Sequence, residues 1–467
     1  EQLGAEAIRV LRFDSALAPT QVRNLAAEYA RGDFLLWLDE GAAVLEPQWL
    51  QRMLNHASRH EVGVVGARLV APDRTISHAG LILGLNGTLG TAFTGQPLEA
   101  PGYLHRLQVE QNYPALSGKC LLISKSLFMQ AGGFDETPQL QRWADVDLGL
   151  RLHRAGYLNV WTPRAQLLIS EDAQQAASAD EQQALYDRWL PLLARDPSYH
   201  RNLSLSGKGF DLESDHDLTW RPLIWRPVPV VLAHSGESFM PGDYRLGQPF
   251  NTLSRAGLID GMASAKLLGP VELERYDPDV IVLQGQRSDE HLHAMQVIKH
   301  YSRAFKVFEL DAYLPGLPAG SEFQQRLPDD SLLSLRTAFS LVDRVLVPSV
   351  ALAEAIADLH GDVRVIETRL SLDSWNALSP QRSREGRPRI GWAAGSLHPG
   401  DLALIAEVVK ALATEVQWVV LGGCPAQLRP YISEVHEAGD VAHYPQALAA
   451  LDLDLALAPL EQNLVNQ

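Results

Sequence analysis

The 467-residue sequence holds two cysteines, Cys120 and Cys424, each inside an apolar run. That scarcity excludes a disulfide framework and points to buried free thiols in a reducing compartment. No apolar run approaches the ~18 residues a membrane-spanning helix needs, and no signal-peptide pattern opens the sequence. Positive charge is in deficit: 40 Lys and Arg against 56 Asp and Glu leave a net charge of −16. A general nucleic-acid binder needs the opposite balance, so no nucleic acid is expected as partner. A phosphate-bearing small ligand stays open, because a cation or a helix N-terminus supplies positive field locally. No repeat recurs at solenoid periods. No G-x-G-x-x-G follows a strand with an acid about 20 residues on, which weighs against a nicotinamide-dependent enzyme. Neither His234-Ser235-Gly236 nor AAGSLHPG is a G-x-S-x-G elbow, so a hydrolase reading fails. The first residue is Glu1 and not Met, which predicts that residues precede it.

What is present is an ordinary globular composition, 46% apolar and 21% charged, in a length that predicts two or three domains. From Glu1 to about Leu205 strands and helices alternate. FLLWL (Phe34–Leu38) reads as a buried strand leaving the sheet at Asp39. Pro47 suits the first turn of a helix whose Trp49, Leu50, Met53 and Leu54 share a face. Val62–Val70 is a second buried strand. A helix over Trp143–Ala155 closes at Gly156, a strand follows at Leu158–Trp161, and a polar helix near Ala179–Leu193 ends this half. Residues 206–229, rich in Pro and Trp, read as a linker that packs on a neighbour. A new series begins at Val230, with strands at Val230–Ala233, Val280–Leu283, Val307–Leu310 and Val345–Val347. Another starts at Arg389: strand RIGWAA, helix Leu402–Leu412 with Leu404, Ile405, Val408, Val409 and Leu412 in one stripe, then strands VQWVVLG and LDLALAP. Such alternation implies parallel sheets covered on both faces. The last series is short for a Rossmann-like domain, which predicts that the chain continues past Gln467.

Ligand sites in α/β proteins lie outside the carboxyl ends of strands. Asp39 stands at such an end, although a strand-terminal Asp serves equally well as a turn or cap residue. Asp145 stands at a helix start, where the dipole favours the ionised carboxylate that a base requires; plain capping is the competing reading. In the later half, Gly395 and Ser396 fall in a strand-to-helix loop, with Asp401 as the expected N-cap. Ordinary turn geometry would explain Gly395 too, and a solvated loop acid would explain Glu461.

The blocks ARGDFLLWLDEGAAV, LEPQWLQRML, VGVVGARLV, SHAGLILG, SGKCLLISKSLFMQAGGFDE and ADVDLGLRLHRAGYLNVWTP, in that order over roughly 200 residues, resemble glycosyltransferase family 2. The resemblance implies a GT-A fold and usually inversion at the anomeric carbon. It puts Asp39, Glu40 and Gly41 in the place of the DXD motif that holds a divalent cation (Mn2+ or Mg2+) and the donor diphosphate, with Asp39 as the metal ligand. It puts Asp145 in the place of the catalytic base, and Gly118 and Lys119 in the loop where donor and acceptor sugars meet. His78 falls in a recurrent His-Ala-Gly turn, which reads as structural. Gly41 has no ligand atom, and Ser170 and Glu171 stand where the family often has a histidine. The family's first strand and base-gripping acid would lie upstream of Glu1.

RIGWAAGSLHPGDLALIAEVVKAL, VQWVVLGGCP and HYPQALAALDLDLALAPLEQN are similar to the donor-binding half of a GT-B, family 4-like glycosyltransferase, with the resemblance covering residues 228–467. It implies donor contacts at Gly395, Ser396 and Glu461. The stretch from Gly395 to Leu402 has no basic side chain beyond His398, which leaves Arg245 as the candidate for the pyrophosphate. The expected architecture is therefore α/β: a partial GT-A, Rossmann-like domain (1–205), a linker (206–229), and a GT-B-like pair of Rossmann-like domains (230–380 and an incomplete 381–467). The implied activity is transfer from a nucleotide-sugar to a glycan, lipid-linked or protein acceptor in bacterial surface-polysaccharide synthesis, such as O-antigen or a flagellin glycan. The implied location is the cytoplasm, at the inner face of the membrane. A non-catalytic sugar-binding or scaffold protein is the competing class, favoured by the degenerate DXD and the missing basic pair.

Overall fold

The computed structural model describes residues 9–170, 176–214, 226–236, 243–286, 288–312, 331–370, 375, 376, 378, 386–394, 399–437 and 443–460. The chain divides into two compact units, Glu1–Pro222 with Gly269–Tyr276, and Leu223–Leu268 with Asp277–Gln467.

The first unit is built on one mixed sheet. Its strands are β1 (Phe34–Leu38), β2 (Ala43–Val44), β3 (Val62–Val70), β4 (Ile76–His78), then the β5 (Leu81–Leu83) and β6 (Leu89–Thr91) hairpin, β7 (Gln111–Asn112), β8 (Cys120–Ser124) and β9 (Leu158–Leu168). The main path runs β1-β8-β3-β9-β2, with β4 on β3 and β7 on β9, while β5 and β6 pair separately. All nine residues of β3 are buried. Successive side chains on β3 and β8 enter opposite cores: Val64, Leu121 and Ile123 join Phe128, Phe134, Leu148 and Trp161. Val65, Cys120 and Leu122 join Met53, Val160 and Leu167. A strand covered on both faces must be apolar at every position, as VGVVGARLV very nearly is. β1 departs from expectation. It lies at the end of the strand order and only Leu35 is buried. An apolar run signals a strand but not its rank in the sheet.

Pro163 has no N–H to give to a ladder. The β3–β9 register jumps there, from Ala67 opposite Thr162 to Arg68 opposite Gln166. The bulge divides β9 into a first half that pairs with β7 and a second half that pairs with β2. The second half carries the chain to Ser170. Helices α1 (Pro19–Tyr29), α2 (Trp49–Ala57), α3 (Lys125–Gln130), α4 (Ala144–Arg154) and α5 (Ala179–Ala194) belong to the unit, as does a helix over Pro270–Tyr276. On α2 Met53 is buried, whereas Leu50 is exposed because it points away from the Met53 core. α4 starts one residue later than expected, after a 3-10 turn over Pro138–Trp143, and closes as expected at Gly156, which has φ +94°. α5 opens on a capping box of Ser178 and Glu181. Phe210, within the expected linker, packs onto the Phe128 core and stacks on Phe93 at 4.7 Å.

The second unit holds two all-parallel sheets. The first contains β10 (Val230–Ser235), β11 (Asp260–Ser264), β12 (Val280–Gln284), β13 (Phe305–Glu309), β14 (Arg344–Val347) and β15 (Val363–Val365), in the order β11-β10-β12-β13-β14-β15. Its helices are α6 (Gln248–Arg255), α7 (Asp289–Tyr301), α8 (Ser331–Ser340) and α9 (Val350–Ala355). The second sheet contains β16 (Arg389–Ala394), β17 (Gln417–Gly422), β18 (Glu434–His436) and β19 (Leu455–Leu457), in the order β18-β17-β16-β19. These are the α/β sheets that the alternating pattern implies. β18 escaped the sequence reading because Glu434, Val435 and His436 carry too little apolar signal. The helix expected over Leu402–Leu412 is two short ones, α10 (Pro399–Ala403) and α11 (Ala406–Ala411). The break turns Leu404 and Val408 outward, 58% and 49% exposed, while Val409 stays in the core. Asp401 is therefore inside the first turn of α10 and not its N-cap. A last helix, α12 (Tyr444–Ala450), precedes β19.

Candidate active site

The ends of β1 and β8 meet the start of α4. Antiparallel pairing puts Leu38 opposite Cys120, so the next pair is Asp39 and Lys119, tied by the Asp39 N–H donating to the Lys119 carbonyl at 2.9 Å. One residue back, the Gly118 N–H donates to Asp145 Oδ2 at 2.5 Å. A side chain at 118 would meet the Asp145 Cβ at 2.9 Å, so this close approach needs glycine. Four expected site residues, Asp39, Gly118, Lys119 and Asp145, thus share one corner of the fold.

Asp145 is half-buried in the first turn of α4. Burial pushes its carboxyl pKa up, opposed by hydrogen bonds from the Gly118 and Val146 N–H groups and by the charge of Arg23. The expectation that the helix dipole would favour ionisation is corrected in direction, because desolvation outweighs the N–H donors. The motif contains a second acid with the opposite fate. Asp147 is fully buried and taken by Arg151 at 2.8 Å, Arg188 at 3.1 Å and the Trp189 indole at 3.0 Å. It joins α4 to α5, and every strong partner it has is protein. The sequence reading did not single out Asp147, since its partners on α5 are distant in sequence.

Asp39 is half-buried and closes a tight turn, with Oδ1 accepting the Gly41 N–H at 3.1 Å and its carbonyl the Ala42 N–H at 3.1 Å. This is the turn role that a strand-end Asp commonly plays, and among the described residues it leaves Oδ2 without a hydrogen-bond donor. Glu40 is exposed. Pairing of Ala43 with Leu168, continued two residues, puts Gly41 opposite Ser170. A Cβ on Gly41 would lie 2.8 Å from the Ser170 hydroxyl and 3.5 Å from Asp39 Oδ1. Among the described residues no three His, Cys, Asp or Glu side chains cluster in a way that could hold a metal ion. His78, at the end of β4, bonds through Nδ1 to the Ser77 hydroxyl at 2.9 Å. Burial, and then the nearby Lys119 charge, lower its pKa to about 4, so the imidazole is neutral.

In the second unit Arg245 is not a free cation. It is 7% exposed and pairs with the buried Glu309, and it also donates to the Ile366 carbonyl at 2.7 Å and the Thr368 hydroxyl at 3.0 Å. Gln284 donates to the other Glu309 oxygen at 2.7 Å. His234 is buried in β10 with Nδ1 3.1 Å from the Ser264 carbonyl. Gly395, Ser396, His398, Glu461 and, in the first unit, Glu171 lie outside the described residues. Cys120 and Cys424 are both free, and burial pushes the Cys120 thiol up to about 12, which makes it inert. No helix among the described residues is long and apolar enough to cross a membrane.

Residues 2–131 match the family model for glycosyl transferase family 2. That span includes Asp39, Gly118 and Lys119 and ends before Asp145. An uncharacterized protein, y4gI, of Sinorhizobium fredii (strain NBRC 101917 / NGR234) is 36% identical over 216 residues, covering 44% of this chain and 24% of its own. The O-antigen biosynthesis protein RfbC of Myxococcus xanthus is 32% identical over 240 residues, covering 49% of this chain and 18% of its own. An N-acetylglucosaminyl-diphospho-decaprenol L-rhamnosyltransferase of Mycobacterium tuberculosis (strain CDC 1551 / Oshkosh) is 34% identical over 146 residues, 28% of this chain and 47% of that one. The chain thus spans less than half the length of each of these relatives. The family match and these relatives agree with a GT-A domain in the first half.

Proposed function

We propose that the first unit is a glycosyltransferase that moves a sugar from a nucleotide-sugar donor to a hydroxyl acceptor in bacterial surface-polysaccharide synthesis, with Asp145 as general base. The observation that carries this reading is the Gly118–Asp145 contact. It holds a carboxylate of raised pKa beside the Asp39–Lys119 pair, within a chain whose residues 2–131 match the family. A general base works best when its pKa approaches the working pH, and desolvation moves Asp145 that way. In the step we propose, the acceptor hydroxyl gives its proton to Asp145 as its oxygen bonds to the anomeric carbon. The carbon–oxygen bond to the diphosphate breaks, and its electron pair leaves with the nucleoside diphosphate. Attack from the face opposite the leaving group inverts the centre.

The family resemblance also implies a divalent cation at Asp39, where it would neutralise the leaving diphosphate. The side chains present fit a protein-held ion poorly. Gly41 supplies no ligand atom, Asp39 Oδ1 is engaged by the Gly41 N–H, and the space a side chain at 41 would take is met by the Ser170 hydroxyl and not by a carboxylate. Such ions take about six oxygen ligands. No step above depends on one.

For the second unit we propose the fold of a GT-B-like, family 4-like pair. Neutralisation of Arg245 by Glu309 favours a binding or scaffolding role there over donor chemistry. The acceptor would be a glycan, a lipid-linked sugar or a protein, met at the cytoplasmic face of the membrane; the name of the Myxococcus relative supports the O-antigen setting. Turnover of sugar-nucleotides by the protein tests the reading. Asp145→Asn is expected to lower kcat by about 10²- to 10⁴-fold, the usual contribution of general acid–base catalysis. Full activity in that variant would overturn the mechanism.

A further inference from the structure

We propose that Lys119 and Ser170 bind the donor diphosphate directly, so that the site takes a nucleoside diphosphate without needing a divalent cation. The proposal rests on the glycosyltransferase reading above and adds to it the way this chain handles the phosphate charge.

Two cross-strand pairs bring the groups together. Lys119 is opposite Asp39, the pair being joined through the backbone at 2.9 Å. Directly opposed residues of an antiparallel pair project from the same face, with Cβ atoms about 5 Å apart. Gly41 is opposite Ser170, and the serine hydroxyl fills the space a side chain at 41 would take, beside Asp39. The exchange of side chains changes the chemistry of the position. A carboxylate there could only accept hydrogen bonds, and would reach a phosphate oxygen only through a cation. A hydroxyl and an ammonium both donate, and bond to phosphate oxygens themselves.

Lys119 is also poised for an anion. Its residue is half-buried, and no carboxylate pairs with its ammonium among the described residues. Asp39, the obvious counter-ion, turns Oδ1 to the Gly41 N–H instead. The ammonium sits near enough to His78 to disfavour a second positive charge there. A partly buried cation with no counter-ion among the described residues is costly until an anion arrives.

The test is calorimetric titration of UDP, dTDP and GDP into the protein, once in EDTA and once in MgCl2 or MnCl2. The expected result is binding of at least one nucleotide in EDTA, within about threefold of its affinity with the metal. Lys119→Gln is expected to weaken binding in EDTA by about 10- to 100-fold, as for loss of a charged hydrogen bond. Ser170→Ala is expected to weaken it by about 3- to 10-fold, and Lys119→Arg to retain most of it. Far-UV circular dichroism of each variant separates lost binding from lost fold. Binding that appears only with metal, or folded Lys119→Gln and Ser170→Ala variants that bind as the wild type does, would overturn the proposal and leave the glycosyltransferase reading standing. Failure of every nucleotide to bind under both conditions would overturn the two together.

Discussion

The carboxyl edges of the two units handle buried charge in opposite ways. In the first, Asp145 is met at hydrogen-bond distance, among the described residues, by the Gly118 and Val146 N–H groups, and Lys119 has no carboxylate partner among them. In the second, Glu309 is enclosed by Arg245 and Gln284, and Arg245 is further tied to Ile366 and Thr368. Both sets lie at the carboxyl edge of a sheet, the position where α/β folds put their ligands. The difference lies in what already satisfies them. A group whose partners are all protein holds the fold together, whereas one left incompletely paired is available to a ligand. Asp145 and Asp147 repeat the contrast two residues apart on one helix.

The largest stability effect is expected where the pairing is complete. Glu309→Ala leaves the Arg245 guanidinium buried beside a void, and should cost about 3–5 kcal/mol, the range for breaking a buried ion pair from one side. Urea denaturation of the second unit's transition measures it. A loss below about 1 kcal/mol would mean that the pair is not the tie it looks to be. Asp147→Ala removes one partner from Arg151 and one from Arg188, and is expected to cost a smaller amount, about 2–4 kcal/mol, because Arg188 keeps Asp135 and Arg151 keeps the Ala131 and Gly133 carbonyls.

Asp145 should behave in the reverse sense. A carboxyl whose pKa is raised in the native state binds its proton more tightly there than in the unfolded chain. It therefore favours the fold at low pH and disfavours it as pH rises through the unfolded and then the native pKa. Asp145→Asn keeps an oxygen for the Gly118 N–H and loses the buried charge. The variant should match or exceed the wild-type melting temperature at pH 7, with any gain fading toward pH 3. A marked loss of stability at pH 7 would show that the ionised carboxylate is a structural partner like Asp147. The smallest effect belongs to Leu404→Ser, within about 0.5 kcal/mol because the side chain is exposed. Val409→Ala, in the core, should cost about 1–2 kcal/mol.

These contrasts also mark what the residues alone could convey. The apolar run of β3, the closure of α4 at Gly156 and the two parallel series follow from local pattern, and they are where the pattern put them. The exposure of β1, the break between α10 and α11 and the outward turn of Leu404 depend on which neighbour covers each face. Periodicity does not report that. Asp39, Gly118, Lys119 and Asp145 were legible as candidates through the resemblance. That Gly118 receives the Asp145 carboxylate, and that Ser170 faces Gly41, required the strand register. Asp147 is the sharpest case. Its sequence context is nearly that of Asp145, and besides Arg151 one turn on it is Arg188 and Trp189, some forty residues on, that separate their roles.

The measurement that bears most directly on the availability of Asp145 is the pH dependence of kcat between pH 4 and 8, for the wild type and Asp145→Asn. A desolvated base should give an acid limb whose apparent pKa lies above the ordinary aspartate value of about 3.9, and that limb should disappear with the residual activity of the variant. A wild-type rate independent of pH down to 4, or an acid limb that the Asn variant keeps unchanged, would contradict the account.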